Sequence, residues 1–96
     1  MGSTFKISLY RNRTDLNLKL MGDFDGSSAY ELINTLKEHY GKVGKIVIHT
    51  CGLAYIHPFG LDVFHKKWSE LKRVSRRIAF TGQNRYKIAP PGSHLL

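Results

Sequence analysis

The sequence predicts an α/β domain, with one mixed sheet of four or five strands and helices packed on it. Three observations lead there. Two short stretches near the start alternate apolar and polar residues with a period of two. Two longer stretches repeat apolar residues at helical spacing. Two compact apolar runs, "KIVIHT" and "RIAFT", follow those helical stretches. Strands that alternate with helices build a sheet carrying helical layers.

Residues 4–10 place Phe5, Ile7 and Leu9 on one face and Lys6 and Ser8 on the other. Residues 16–21 repeat the pattern with Leu16, Leu18 and Leu20. The polar link "RNRTD" has hairpin length, so the pair reads as an antiparallel hairpin with one buried face. Gly22 and Gly26 punctuate the next segment. There Asp25, Ser27 and Ser28 all suit a helix N-cap, and Ser28 with Glu31 fits a capping box. Ala29, Leu32, Ile33, Leu36 and Tyr40 then define an amphipathic helix over 28–40, ended by Gly41 or Gly44. Residues 45–50 form an apolar run that suits a central strand covered on both faces. Pro58 opens a second helix with the stripe Leu61, Phe64, Trp68 and Leu71. Its other face is basic: His65, Lys66, Lys67, Lys72 and Arg73. Residues 77–81 make a fourth strand, and "RYKI" suits a short edge strand. Pro90, Pro91 and Gly92 then break regular structure. This predicts a folded domain over 3–89 and a flexible tail over 90–96.

The order is thus β-β-α-β-α-β. Right-handed crossovers bring the loops after parallel strands to one edge of the sheet, where ligands and partners bind. "CGLAYIHPFG" falls on that edge.

A chain of 96 residues makes one small domain. No apolar run reaches membrane-spanning length and no signal-peptide pattern opens the chain, so a soluble cytoplasmic protein is expected. The single cysteine excludes an internal disulfide. The net charge of +8 is unevenly placed: residues 1–60 hold seven basic and five acidic side chains, residues 61–96 eight and two. Such a field attracts an acidic protein face, anionic lipid or nucleic acid.

The residues around "IHTCGLAYIHPFG" invite a chemical reading. His49, Cys51 and His57 could hold zinc, but no second cysteine or paired-histidine spacing supports a metal site. Cys51 as a nucleophile lacks an acid to orient either histidine. Asp23 and Asp25 could act as paired carboxylates, yet the neighbouring serines favour helix capping. The glycines form no phosphate-binding spacing. No catalytic residue, metal or cofactor is therefore assigned, and the protein is read as a non-enzymatic binding module. The basic stretch "HKKWSELKRVSRR" has the ordinary reading of a solvated helix face, with Trp68 phased to the core. A nucleic-acid reader would interleave exposed aromatics with the charge, so nucleic acid remains an alternative resting on charge alone. Phe59, beside the helix start, suits a partly exposed anchor.

Over about residues 4–81, the order and spacing of these elements resemble the STAS domain, named for sulphate transporters and anti-sigma-factor antagonists. Gly22-Asp23-Phe24-Asp25 resembles the family's Gly-Glu-Leu-Asp turn before the first helix. "IVIHTCGLAYI" resembles its strand ending in Asp-Leu-Ser-Gly, and His57-Pro58-Phe59-Gly60-Leu61 stands where the family has Asp-Ser-Ser-Gly-Leu. In the antagonists a partner kinase phosphorylates the first of those serines. Pro58 occupies that position here, Phe59 replaces the second serine, and His57 and His49 replace the two aspartates. The family's further helix after the fourth strand is also put in doubt by the short, proline-broken tail. The resemblance implies a partner surface at His57, Pro58, Phe59, Gly60 and Asp25, with Lys66 and Lys67 steering an acidic face. It implies an anti-sigma-factor kinase or related signalling protein as partner, without phosphorylation at Pro58. The alternative it offers is an adaptor subunit of a membrane lipid-transport complex.

Overall fold

The computed structural model describes residues 4–71 and 75–96. Strand β1 (Lys6–Asn12) turns back into β2 (Asp15–Phe24), helix α1 (Gly26–His39) follows, and β3 (Lys45–Ile56) leads into α2 (Pro58–Lys67). Two short 3₁₀ turns, Trp68–Leu71 and Ser75–Arg77, precede β4 (Ile78–Thr81), a single-turn α3 (Arg85–Ile88) and β5 (His94–Leu95). The five strands lie in the order β1-β2-β3-β4-β5. The β1–β2 pair is antiparallel, and β2–β3, β3–β4 and β4–β5 are parallel. This is the mixed sheet with packed helices that the sequence predicts.

Alternation builds the core. Leu16, Leu18 and Leu20 of β2 and Ile46 and Ile48 of β3 are at most 2% exposed. They share one cluster with Ala29, Leu32, Ile33 and Leu36 of α1 and Phe64 of α2. Each such large side chain contributes about 1.5–3 kcal/mol of apolar burial. The opposite face of the sheet carries Asn17, Lys19, Val47 and His49, half-buried or exposed. So β3 is central but not covered on both faces. Its unbroken apolar run concealed a period-two strand because a β-branched residue such as Val47 also suits a partly exposed strand position.

Strand β3 also runs six residues beyond the predicted end at Thr50. Gly52 reads in sequence as a turn, but it marks a register shift between β2 and β3. A Cβ at this position would lie 2.5 Å from the Leu20 carbonyl oxygen, so only glycine allows β2 to pass so closely.

The end of the chain departs from expectation in a second way. "RYKI" is a helical turn, not an edge strand: Ile88 N–H donates to the Asn84 carbonyl at 3.2 Å and Ala89 N–H to the Arg85 carbonyl at 3.0 Å. Burial of Ile88 in the core holds the turn in place. The fifth strand comes from His94–Leu95, inside the segment expected to fray, with Leu96 N–H donating to the Phe80 carbonyl at 2.8 Å. Of the three N-cap candidates Asp25 is the one used, and the helix begins at Gly26, two residues before the expected start. A carboxylate at the positive helix end is a strong cap, so Ser28 becomes a donor to it.

Candidate partner-docking site

Helices α1 and α2 start side by side at the edge where β2 and β3 end. The His57 N–H donates to the Phe24 carbonyl at 2.9 Å and ties the two strand ends together. Gly60, in the first turn of α2, lies against the backbone of Phe24 and Asp25. A Cβ on it would come within 2.8 Å of the Phe24 carbonyl oxygen and 2.9 Å of Asp25 Cα. The small residue lets the two helix starts touch.

That approach carries Phe59 across the start of α1. A Cβ on Gly26 would sit 2.8 Å from Phe59 Cε2, so the ring lies directly over Gly26. Phe59 is nonetheless 69% exposed. Tyr55, 54% exposed, meets His57 edge to face with ring centroids 4.4 Å apart. Two exposed aromatics thus flank the α2 start. Exposed aromatic area of this kind supplies much of the energy at protein interfaces.

The two helix starts are electrostatically unlike. Asp25 Oδ1 accepts from the Ser28 N–H at 2.9 Å, the Ser28 hydroxyl at 2.8 Å and the Ser27 hydroxyl at 3.1 Å. The Ser28 backbone and side-chain bonds, then Ser27, then the nearby His57, hold the Asp25 carboxyl below its ordinary value of 3.8. At α2, His57 is extended (φ −74°, ψ 136°) but makes no capping side-chain hydrogen bond, and Pro58 takes the first turn. One orphan N–H is thereby removed, and His57 caps none of the others with its side chain.

The structure brings Asp25, His57, Pro58, Phe59 and Gly60 together. Lys66 and Lys67 lie at the other end of α2, roughly 12 Å along its axis at 1.5 Å per residue. Both are engaged: Lys66 pairs with Asp62 at 3.2 Å and Lys67 with Glu70 at 3.3 Å. Lys37 of α1 also pairs with Glu70, and Lys67 sits over the Tyr30 ring at 5.2 Å. Lys72 and Arg73 lie outside the described residues. Trp68 packs on Phe64 and Phe80 with centroids 5.5 and 5.7 Å apart, as its phase predicts.

His49, Cys51 and His57 go separate ways. His49 Nε2 hydrogen-bonds with Asn17 Oδ1 at 2.9 Å and stacks on Tyr10, while Cys51 is exposed. Among the described residues, no three His, Cys, Asp or Glu side chains group as metal ligands. Sequence reasoning missed the part played by Thr50 and Asn84. Buried Thr50 donates its hydroxyl to the Thr81 carbonyl at 2.9 Å, while Asn84 Nδ2 donates to the Thr50 carbonyl at 2.9 Å. A threonine ending an apolar run was the available signal.

No protein-family description matches the chain, and no curated protein does. Solved structures do. The anti-sigma factor antagonist SpoIIAA in its unphosphorylated form superposes with a TM-score of 0.65 at 16% identity, over 97% of this chain and 87% of that one. The fold is that of the anti-sigma-factor antagonists. An antagonist from Mycobacterium paratuberculosis gives a TM-score of 0.64 at 11% identity, over 85% of this chain and 70% of its own. The STAS-like architecture expected from the resemblance is therefore present, with the single turn α3 following β4. Among the described residues no helix is long and apolar enough to cross a membrane.

Proposed function

We propose that this domain is a non-enzymatic regulatory module that docks a protein partner at the α2 start. Phe59 is the anchor, flanked by His57, Pro58 and Gly60, with Asp25 alongside. The single observation that carries the reading is Phe59, largely exposed at the α2 start with its ring lying over Gly26. An aromatic side chain has only two torsions to order on binding and offers a large apolar area to bury. The fold shared with anti-sigma-factor antagonists supports a signalling partner of the anti-sigma kinase type.

Pro58 gives this docking edge a distinct control. A phosphoserine at a helix start adds about −1.5 to −2 charges and remodels the face. Proline has no hydroxyl to modify, so docking here is governed by partner availability or by another group. The test is affinity capture from the source cells with the wild-type domain and Phe59→Ala, followed by titration calorimetry with the purified partner. Phe59→Ala is expected to weaken binding by about tenfold or more while the domain stays folded. A folded Phe59→Ala domain with full affinity removes the anchor. Stoichiometric phosphate on Ser27, Ser28 or Thr50 that abolishes binding removes the phosphate-free reading.

A further inference from the structure

A cavity of ≈ 250 Å³ opens beside the docking edge, between the late part of β3, α2 and α3. Leu53, Ile56 and Leu61 give it an apolar lining, and Ala54, Asn84 and Lys87 complete it. Tyr55 is also among its lining residues, and the Tyr55 ring packs on His57, which places the cavity next to the α2 start. The volume is below the roughly 300–1,000 Å³ usual for small-molecule pockets and suits one large side chain.

Its polar groups are unequal. The Asn84 amide is turned inward, its Nδ2 donating to the Thr50 carbonyl. Asp62, next to Leu61, is paired with Lys66 at 3.2 Å. Among the described residues no carboxylate pairs with exposed Lys87. An apolar hollow with one uncompensated ammonium on its lining is complementary to an apolar group bearing a carboxylate.

We propose that this cavity receives one apolar side chain of the docked partner, with an adjacent partner carboxylate on Lys87. This rests on docking at the α2 start, and it names what the partner must present: an exposed segment in which an acidic residue neighbours a leucine-like or aromatic one. Phe59 and the cavity then form two anchor points on one edge.

The test uses N-acetyl-leucine, which carries both features, against N-acetyl-leucinamide, which lacks the charge, and acetate, which lacks the side chain. Each is titrated into the ¹⁵N-labelled domain and followed by amide shifts. N-acetyl-leucine is expected to move the amides of Leu53, Ala54, Ile56, Leu61 and Lys87, with a midpoint about tenfold lower than that of the amide. Ala54→Trp fills the hollow from an exposed position and should abolish the shifts. Lys87→Glu should erase the preference for the acid. Spectral dispersion shows that each variant is folded. Equal midpoints for acid and amide, or shifts that survive Ala54→Trp, overturn the proposal.

Calorimetry with the purified partner separates this proposal from the docking reading. Full partner affinity in Ala54→Trp, with loss in Phe59→Ala, overturns the cavity and leaves docking intact. Loss in Ala54→Trp with full affinity in Phe59→Ala does the reverse: the cavity stands and the Phe59 anchor falls.

Discussion

Helices α1 and α2 begin at the same sheet edge and solve the same problem in opposite ways. Every helix start exposes N–H groups and a partial positive charge. At α1, Asp25 fills that position and three hydrogen bonds from Ser27 and Ser28 converge on it. At α2, His57 leaves it without a side-chain cap, Pro58 stiffens the first turn, and Phe59 projects outward. One start is closed by its own chain; the other has no side-chain cap from His57. On the proposed docking reading, local stability and binding capacity are divided between two helix ends held in contact by Gly60.

The largest expected effect breaks that contact. Gly60→Ala gains about 1 kcal/mol in helix propensity but places a Cβ 2.8 Å from the Phe24 carbonyl oxygen. Backbone must move, and overpacking of this kind costs about 1–3 kcal/mol, so a net destabilisation of up to roughly 2 kcal/mol is expected in urea unfolding. A stabilised Gly60→Ala would mean that the helix starts part easily.

Asp25→Ala comes next. It removes the closed cap and should cost about 1 kcal/mol in the same measurement. His57→Ser is the mirror experiment. His57 already has the extended backbone of an N-cap, so a hydroxyl there should gain roughly 0.5 kcal/mol. If the two substitutions change stability in the same direction, the contrast between closed and open starts is wrong.

Much of the architecture could be read from the sequence because it rests on periodicity. The Leu16–Leu18–Leu20 alternation and the Leu32–Leu36 spacing each report which side is buried. The regions missed depend on partners distant in sequence. Gly52 looks like a turn until β2 is seen passing beneath it. "RYKI" alternates like a strand, but it is fixed as a helix by Ile88 entering the core and by Asn84 turning toward Thr50. The residues of the proposed docking site show the same split. Pro58 as the first helical residue was legible, whereas the seat of Phe59 on Gly26 required two segments to be brought together. The charge of Lys66 and Lys67 was visible, but not its compensation by Asp62 and Glu70.

The smallest effect tests the closed start by pH. Asp25 has a folded-state pKa below 3.8, chiefly because the Ser28 N–H and hydroxyl favour its ionised form. Folding therefore binds fewer protons at this site than unfolding does. Its stabilising contribution is complete above 3.8 and is lost as pH falls from there through the lowered folded value. The side chain is exposed, so solvent screening keeps the effect modest. Asp25→Asn keeps a capping oxygen but cannot ionise. The stability difference between wild type and Asp25→Asn should be constant from neutral pH down to about 5, then shrink as the solution becomes more acid. A difference that grows on acidification would place the Asp25 charge against the fold, and α1 would no longer be the closed member of the pair.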